Sequence, residues 1–466
     1  MELFDYQNKA VDFVKDAKRA YIALDLGMGK TLTSLASMHE VGKKHVLLVA
    51  EKNEIVNSQN FKKEVETHFD DLTYHSLREV DLEYVYGSTR AVCGINPEGL
   101  IKHEPEEIKK LFDTMVIDEA TLAKTTTTKR FKRVHKITKE MEYLALLSGT
   151  PMMNGASELY APLLLLEHPM VVGKGADAKK AFEAVFAGGH YRKIRNTGKW
   201  FQDYAWWAKG SNHVRVLRWL LRDHFFIMSK SETDIFKKKI RSIEWIDMNM
   251  EWLGEYTQAW NKYFEEAQKR DVDLDNIREL RGLIENGQMY QVNSKWKAKR
   301  VAQDIANGKY GNQRIVVFSM FVETDAILQE ELKRLKVSFK TFDEVQEWKT
   351  GDDQVLVGRI KAHGKGGNLP EASVCLFVDM DFVPANNIQA ENRIDRPEQK
   401  NDMQIVYYLT RGDDVIDTHV RKINQDKAQK IERFMKPLSD EEIEDMPRLL
   451  ANMRIKFRKE MELLGI

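Results

Sequence analysis

The chain reads Leu24-Asp25-Leu26-Gly27-Met28-Gly29-Lys30-Thr31 between an apolar run at 20–24 and a stretch with helical spacing at 32–39. Glycines let backbone N–H groups turn toward one point, and the N-terminus of a following helix adds positive potential there. A lysine and a threonine directly after them can bind phosphate oxygens and Mg²⁺. The segment departs from the GxxxxGK[ST] pattern because Leu24 stands in place of the first glycine. It predicts a phosphate-binding loop; a glycine-rich turn without a ligand is the alternative.

A second apolar run, at 114–117, ends in the adjacent carboxylates Asp118 and Glu119. At the carboxyl end of a strand the chain turns, so both side chains can address one site. Asp118 can order Mg²⁺ through water, and Glu119 can align and deprotonate an attacking water. Such a pair also begins many solvated loops. Because it follows a phosphate-binding loop at ordinary domain distance, we interpret it as part of the same site.

Short apolar runs alternate with longer amphipathic stretches in two parts of the chain. This alternation is typical of parallel sheets flanked by helices. We therefore predict an α/β fold with two parallel-sheet domains in tandem, a helical, basic insertion and a helical C-terminal tail. The predicted strands lie at 20–24, 45–50, 114–117, 143–147, 315–318, 355–357, 374–378 and 405–409. The predicted boundaries are 1–166 for the first domain, 167–250 for the insertion, 251–308 for a helical connector, 309–420 for the second domain and 421–466 for the tail.

Composition excludes several classes of protein. The 466 residues include 72 Lys+Arg and 72 Asp+Glu, so the chain is not a globally cationic DNA-coating protein. Apolar residues make up 42% of the chain, which argues against disorder as the main state. The N-terminus lacks a basic segment followed by an apolar one, and no apolar run approaches the roughly 18 residues that span a bilayer. We expect no membrane partner and a cytoplasmic, nucleoid-associated protein, or one in the host cytoplasm if it is phage-encoded.

The cysteines and histidines form no recognisable metal motif. Cys93 and Cys375 are too far apart in sequence for a CxxC site, and we predict both to be buried and reduced. The 12 histidines show no HExxH or HxH spacing. Any metal is therefore expected to arrive with a substrate.

The neutral total charge conceals a basic segment. Residues 174–241 contain sixteen Lys/Arg against six Asp/Glu, interleaved with aromatic residues. Clustered cations can neutralise phosphates with release of counterions, and aromatic rings can stack on exposed bases. Alternatively, the tryptophans form the core of a small helical domain with a basic outer face. The candidates for DNA contact here are Lys193, Arg195, Lys199, Arg215 and Arg218.

Further segments follow in a definite order. They are Phe4-Asp5-Tyr6-Gln7, Leu147-Ser148-Gly149-Thr150-Pro151, Val316-Val317-Phe318-Ser319, Gly366-Gly367-Asn368-Leu369 and Gln389-Ala390-Glu391-Asn392-Arg393-Ile394-Asp395-Arg396. With the two motifs above, they resemble superfamily 2 helicases, and within them the Swi/Snf-type group of double-stranded DNA translocases. The resemblance covers most of the chain, and the compact size resembles bacteriophage-type members.

This resemblance implies two RecA-like domains that bind ATP with Mg²⁺ in the cleft between them. The nucleotide-binding residues it implies are Tyr6, Gln7, Gly27, Met28, Gly29, Lys30, Thr31 and Gln389. It implies metal binding by Thr31 and Asp118 and a catalytic role for Lys30, Asp118 and Glu119. Ser148 and Thr150 would couple hydrolysis to DNA contact. The spacing of Gln389, Arg393 and Arg396 predicts one helical face, from which the two arginines stabilise the transferred phosphoryl group.

Two departures weaken the implied DNA contacts. Thr121 follows the DEA sequence where the group usually has His, which affects coupling rather than hydrolysis. The loop Lys361-Ala362-His363-Gly364-Lys365 replaces much of a glycine-bearing loop of the group. We predict that Lys361, His363 and Lys365 lie near a phosphate backbone; a solvated loop is the alternative.

The sequence therefore predicts an ATP-dependent DNA translocase or helicase that acts on duplex, forked or branched DNA. It does not determine the oligomeric state, for which a monomer is favoured. The resemblance suggests roles in DNA replication, repair and recombination, including branch migration. Two alternatives stay open: an RNA-dependent ATPase of the same superfamily, and a nucleic-acid-binding scaffold that no longer hydrolyses ATP.

Overall fold

The computed structural model describes residues 2–42, 44–51, 60–120, 125–149, 151–152, 155–171, 175–193, 204–208, 210–269, 288–364, 367–413 and 415–464. The chain divides into two compact units. The first consists of Met1–Glu232 with Gln429–Ile466, and the second of Thr233–Ala428. The first unit is therefore built from two separate stretches of the chain.

The described strands are short and mostly buried. In chain order they are β1 (Arg19–Leu24), β2 (His45–Val49), β3 (Thr73–Ser76), β4 (Ala91–Ile95), β5 (Phe112–Ile117), β6 (Tyr143–Leu147), β7 (His190–Lys193), β8 (Tyr204–Trp207), β9 (Phe225–Met228), β10 (Lys239–Ile246), β11 (Ile315–Ser319), β12 (Phe339–Thr341), β13 (Val355–Arg359), β14 (Val374–Phe377) and β15 (Met403–Thr410).

The described α-helices connect these strands and form the tail. They are α1 (Asp5–Ala17), α2 (Lys30–Val41), α3 (Asn60–His68), α4 (Leu82–Tyr86), α5 (Pro97–Leu100), α6 (Pro105–Leu111), α7 (Lys129–Thr138), α8 (Tyr160–Leu165), α9 (Gly175–Phe186), α10 (Val214–Leu220), α11 (Met250–Lys269), α12 (Gln288–Ala306), α13 (Val322–Arg334), α14 (Val345–Thr350), α15 (Ile360–His363), α16 (Pro384–Glu391), α17 (Ile416–Met435) and α18 (Asp440–Leu464). Short 3-10 helices cover Ala156–Leu159, Lys230–Glu232 and Phe342–Glu344.

The first unit contains a seven-stranded sheet in the order β3-β4-β2-β5-β6-β1-β9, in which every pair is parallel. Its central strands are buried on both faces, as expected where crossover helices cover a parallel sheet. On one face, α7 packs Phe131, Val134 and Ile137 into the core that contains Met115 and Leu144. Strands β7 and β8 form a separate antiparallel pair.

The second unit contains a six-stranded parallel sheet in the order β10-β15-β14-β11-β13-β12. Helices α11 and α12 pack together beside it, with Trp252, Tyr256 and Tyr290 in the same core as strands β11 and β14. Within this core the fully buried Lys297 lies 2.9 Å from Asp417 and 3.4 Å from Asp379.

The two parallel sheets confirm the predicted fold class, and each predicted apolar run overlaps a strand. Helix α2 likewise covers the predicted helical stretch. The predicted domain boundaries differ from the two units of the structure. The predicted connector, 251–308, lies within the second unit, and most of the predicted tail, from residue 429, belongs to the first unit.

In the described part of the predicted insertion, 167–250, strands occur beside the helices. Strand β9 extends the first sheet by pairing with β1, and β10 extends the second sheet by pairing with β15. The physical reason is that each segment pairs its backbone with the last strand of a sheet and becomes the edge strand. The charge and aromatic content of the segments did not indicate this role.

Two smaller observations follow from the described residues. Cys93 and Cys375 are buried free thiols, as predicted, and burial raises the pKa of both. Among the described helices, none is long and apolar enough to cross a membrane.

Candidate nucleotide site and nucleic-acid contacts

Three predicted motifs meet at one edge of the first sheet. Strands β5, β6 and β1 are neighbours and parallel, so their carboxyl ends lie side by side. Asp118 follows β5, Ser148 follows β6 and Asp25 follows β1. Ligands of open α/β sheets bind at this edge, where loops and helix N-termini converge. The sheet topology therefore brings together residues separated by more than a hundred positions.

The loop after β1 has the backbone that a phosphate-binding loop requires. Gly27 and Gly29 have φ angles of +93° and +70°, which L side chains rarely adopt. A Cβ on Gly29 would lie 2.5 Å from Gln7 Nε2, so a side chain there would displace the Gln7 amide. No side chain caps the N-terminus of α2 among the described residues. This bare, glycine-lined helix start fits a phosphate group.

Lys30 lies at the start of α2 and points back along the loop. Its Nζ donates to the carbonyl oxygens of Leu24, at 3.1 Å, and Asp25, at 3.3 Å. Its ammonium is thus held beside the loop whose backbone would bind a phosphate. Thr31 follows directly, as predicted, within the first turn of α2.

Helix α1 holds the loop from the other side. Tyr6 Oη donates to the Met28 carbonyl at 3.0 Å, and Gln7 Nε2 lies 3.5 Å from the same oxygen. Gln7 Oε1 accepts from the Phe4 backbone N–H at 3.0 Å, which fixes the orientation of the amide. Burial raises the pKa of Tyr6 to about 12, so the phenol remains a neutral donor. The structure therefore brings the predicted Tyr6 and Gln7 against Met28.

The acidic pair after β5 is connected to the motif after β6. Ser148 Oγ donates to Glu119 Oε1 at 2.9 Å, and Ser148 is fully buried. Glu119 has a φ of +58°, an uncommon conformation for a residue other than glycine that is often found at functional sites. Burial and then the charge of Glu119 raise the pKa of the neighbouring Tyr21. The carboxylate that we predict to be the base is thus positioned by a hydroxyl of the next strand.

Gly149 completes this edge by close approach. A Cβ at this position would lie 2.7 Å from the side chain of Leu26 and 3.1 Å from Lys30 Nζ. Any side chain would therefore push into the phosphate-binding loop. The second predicted coupling residue, Thr150, and the unusual Thr121 lie outside the described residues.

One support of the loop was not predicted. Asp25 Oδ2 accepts from the Lys230 backbone N–H at 2.9 Å, and the Asp25 N–H donates to Met228 at 3.2 Å. Strand β9 and the 3-10 helix after it thus hold the first residue of the loop. The sequence offers little signal for this contact because the partners are 205 residues apart.

In the second unit, the Arg393 side chain binds backbone carbonyl groups and is not exposed on the surface. Its guanidinium donates to the carbonyls of His363 and Gly367, at 2.6 and 2.8 Å for Gly367, and stacks 4.7 Å from the Phe342 ring centre. Arg396 is half-buried, and burial lowers its pKa. Arg396 Nε and Gln389 Oε1 have no hydrogen-bond partner among the described residues.

The predicted helical face of Gln389, Arg393 and Arg396 is wrong, because α16 ends at Glu391. The amide of position 397 would continue the helix by donating to the Arg393 carbonyl, but Pro397 has no N–H. That carbonyl instead accepts from Leu369 N–H at 2.8 Å. Both arginines therefore follow the helix rather than lie on it.

A buried polar cluster surrounds the end of α16. Glu391 is 2% exposed and accepts from Arg241 at 2.6 Å and from Tyr407 at 2.7 Å. Lys239 Nζ lies 2.8 Å from Asp395 and 3.6 Å from Glu391. Although burial opposes it, these cations hold the pKa of Glu391 below its ordinary value. We call these five residues the Glu391 cluster; the sequence did not reveal it.

The residues of the second unit that were predicted to contact DNA differ in exposure and in their contacts. Lys361 is exposed on α15, 3.9 Å from the buried Asp381. His363 Nδ1 accepts from the Arg359 N–H at 3.0 Å, and its ring stacks on Phe342. Burial and then the charge of Arg359 lower the pKa of His363, so this imidazole is a neutral packing group. Lys365 lies outside the described residues.

Arg215 was predicted to contact DNA, but in the structure its guanidinium is bound within the protein. Its five N–H groups are directed at the Glu442 carboxylate and the carbonyls of Arg433, Lys436 and Pro437, at 2.5 to 2.8 Å. The physical reason is that the carbonyls where α17 ends, together with a carboxylate of α18, use every donor that a phosphate would need. Arg215 therefore attaches the tail to α10.

Arg218, also predicted to contact DNA, is half-buried beside the end of β9. Burial lowers its pKa to about 10, and its Nη2 lies 3.5 Å from the Ile227 carbonyl. Lys193 ends β7, but its side chain lies outside the described part of the chain, as do Arg195 and Lys199.

A parallel α/β unit with a glycine-lined loop, a lysine at a helix start and an acidic pair at the end of β5, two strands away in the same sheet, defines a P-loop nucleotide-binding protein. Residues 6–316 match the family described as the SNF2-related domain. The chain belongs to this family, which confirms the resemblance to Swi/Snf-type superfamily 2 proteins.

Several relatives are similar along most of the chain. A SWI/SNF-related matrix-associated actin-dependent regulator of chromatin subfamily A-like protein 1 homolog of Caenorhabditis elegans is 23% identical over 89% of this chain and 60% of its own length. The DNA annealing helicase and endonuclease ZRANB3 of Mus musculus is 23% identical over 88% of this chain and 39% of its own. Chromodomain-helicase-DNA-binding protein 7 of Homo sapiens is 22% identical over 96% of this chain and 17% of its own length. The chain thus spans less than two thirds of these relatives.

Among solved structures, the SWI2/SNF2 ATPase core of Sulfolobus solfataricus in complex with dsDNA is similar over 97% of this chain and 96% of that one. The sequence identity is 17% and the TM-score 0.42.

Proposed function

We propose that this protein is an ATP-dependent DNA translocase or helicase. The observation that carries the proposal is the hydrogen bond from Ser148 to Glu119 at the strand edge that also holds the loop of Lys30. A base held beside a phosphate-binding loop is the arrangement that hydrolysis of a nucleoside triphosphate needs. Membership of the SNF2-related family supports the same reaction.

Each residue of the edge takes a distinct role in this proposal. The backbone around Gly27 and Gly29 binds the phosphates of ATP, and Lys30 neutralises their charge. Thr31 and Asp118 hold the Mg²⁺ ion that arrives with the nucleotide. Glu119 aligns and deprotonates the attacking water.

The second unit supplies arginines in this proposal. Arg396 has an unpartnered Nε among the described residues, and a guanidinium stabilises charge on a transferred phosphoryl group. Arg393 is already bound to the carbonyls of residues 363 and 367, so we propose that it also positions α15, which carries Lys361. Ser148 links Glu119 to the neighbouring motif and would transmit the DNA-bound state to the base.

We further propose duplex or branched DNA, including forks and recombination intermediates, as the substrate. The support comes from relatives that are named a regulator of chromatin and a DNA annealing helicase. Strand movement without separation and true unwinding are both compatible with this proposal, and the RNA-dependent alternative is an outcome of the test below.

The test is steady-state ATP hydrolysis by the wild type and Glu119→Gln. Each protein is measured without nucleic acid and with single-stranded DNA, duplex DNA, a fork, a four-way junction and RNA. We expect duplex or branched DNA to stimulate the wild type, and Glu119→Gln to lose at least about 100-fold in turnover, the usual contribution of a positioned base. ATP binding by the variant should remain, because the phosphate-binding loop is unchanged.

The matched control is Glu83→Gln, which removes an exposed carboxylate of α4 in the same unit. It should hydrolyse ATP like the wild type. Full activity of Glu119→Gln would refute the assignment of the base. Stimulation by RNA alone would refute DNA as the substrate, and binding without any hydrolysis would favour the scaffold.

A further inference from the structure

A row of four lysines lies on the outer face of the first unit. Lys129, Lys132, Lys136 and Lys139 are all exposed and follow one another at spacings of three, four and three residues along and just after α7. These spacings place side chains on one side of a helix. We call these four residues the lysine row.

The opposite side of α7 is fixed by packing. Phe131, Val134 and Ile137 are at most 3% exposed and belong to the core of the first sheet. The N-terminus of the helix is capped by Thr128, whose hydroxyl accepts from the Phe131 N–H at 3.1 Å. The lysine row is therefore presented by a rigid, well-anchored helix rather than by a loop.

The acidic residues around α7 are bound to other cations. Glu98 pairs with Arg130 at 3.2 Å, and Glu104 pairs with Arg133 at 2.9 Å. Glu140, next to the end of the row, pairs with Lys109 at 2.5 Å.

Among the residues that the structure describes, no carboxylate forms an ion pair with the lysine row. Four like charges along one helix face repel one another and destabilise the helix modestly. The Glu104 carboxylate, which Arg133 binds, also interacts electrostatically with Lys136. The row nevertheless keeps a net positive charge, which is typical of a surface that binds a polyanion.

The dimensions of the row fit a nucleic-acid backbone. Ten residues of helix separate Lys129 from Lys139, a length of about 15 Å. One strand of a duplex carries a phosphate per roughly 3.4 Å of axis, so the row faces about four phosphates. A straight, rigid row matches a stiff duplex better than a flexible single strand.

We propose that the lysine row is a duplex-DNA backbone contact of the first unit. This inference rests on the proposed function for the choice of DNA, and it adds a surface that lies outside all the sequence motifs described above. Because α7 is the crossover between β5 and β6, the row runs along a face of the unit, from the edge that carries Glu119 to the opposite edge. It would hold DNA whatever nucleotide is bound.

The test is duplex-DNA binding by full-length Lys132→Gln/Lys136→Gln at several salt concentrations. We expect binding to weaken about tenfold at 50 mM salt, and the slope of log K against log salt to fall in magnitude by about 1 to 2, since each lost phosphate contact accounts for roughly 0.9. ATP hydrolysis without DNA should be unchanged. With DNA, the concentration needed for half-maximal stimulation should rise, while the maximal rate is retained.

Two further variants make the result specific. Lys62→Gln/Lys63→Gln removes the same charge from exposed positions of α3 in the same unit and should keep the wild-type slope. Lys132→Arg/Lys136→Arg keeps the charge and should restore binding, which separates loss of contact from misfolding.

Equal salt slopes for the two Lys→Gln double variants would overturn the inference. This result is expected if the partner of the lysine row is an acidic protein. Failure of the proposed function has a different signature, namely a wild type that DNA does not stimulate. Because the salt slope is measured by binding alone, it does not depend on hydrolysis. A wild type that binds no duplex DNA would overturn both.

Discussion

At the scale of single residues, Arg215 and Glu442 form an ion pair in which the arginine is shielded from solvent. The Arg215 side chain is 15% exposed, and its hydrogen bonds lower the pKa of Glu442 to about 2 from an ordinary 4.5. A carboxylate with a lowered pKa stabilises the folded state above its unfolded pKa, and this stabilisation is lost as the pH falls through the folded pKa.

We therefore predict an acid-sensitive contribution from this one pair. The free energy of unfolding of the wild type should fall by about 1 kcal/mol more than that of Glu442→Gln between pH 5 and pH 2, a value reduced for the partial exposure of the carboxylate. Chemical denaturation at a series of pH values measures it.

The matched variant is Glu441→Gln, an exposed neighbour that forms no ion pair with any residue that the structure describes. It should follow the wild type at every pH. If Glu442→Gln and Glu441→Gln have the same pH dependence, Arg215 does not hold the tail through this carboxylate.

At the scale of elements, the Glu391 cluster joins α16 to two strands. Arg241 and Lys239 come from β10, and Tyr407 comes from β15. Removing one partner of a buried ion pair leaves the others without compensation, which typically destabilises by 3–5 kcal/mol. We predict a loss of about this size for Glu391→Ala in urea denaturation of the second unit.

Glu398→Ala is the control for this prediction, because Glu398 is exposed and lies seven positions further along the same segment. Its effect should stay within about 0.5 kcal/mol. A loss below about 1 kcal/mol for Glu391→Ala would show that the cluster is hydrated and does not fix the end of α16.

The predicted elements are those whose signal lies within their own stretch of sequence. Strands such as β2 and β11 were predicted because they are buried on both faces and read as continuous apolar runs. Strands β9 and β10 were missed because each lies at a sheet edge, and β10 carries charged, half-exposed residues. The end of α16 was missed although Pro397 signals it, because the arginine spacing was given more weight.

The site shows the same division. The loop of Lys30 and the pair Asp118-Glu119 were predicted because each motif is contiguous. The contacts of Asp25 with Lys230, Arg241 with Glu391 and Arg215 with Glu442 join residues 205, 150 and 227 positions apart. No single segment carries a pattern for such pairs, so they became visible only in the folded chain.

At the scale of the whole molecule, the first unit depends on residues from both ends of the sequence. Ile431, Phe434 and Met435 belong to its main core, and Met446 is fully buried. We predict that a chain ending at Ser439 loses about 3 kcal/mol of stability in the first unit, because it loses Met446 and the Glu442 pair.

Native-state hydrogen exchange measures this prediction, since it reports each unit separately. Amides of α10 should lose about 100-fold in protection, while those of β11 and β13 in the second unit keep theirs. Equal losses in both units would show that the two unfold together.

The division of the first unit into two stretches also constrains the order of events during synthesis. Residues 1–232 leave the ribosome before the second unit, and residues 429–466 only after it. Domains generally fold as they emerge, N-terminal first. Here the first unit cannot complete its core, which includes Phe434 and Met435, until nearly two hundred further residues have been translated. The nascent chain therefore exposes apolar surface for longer than its N-terminal position implies, and chaperones would meet it in that interval.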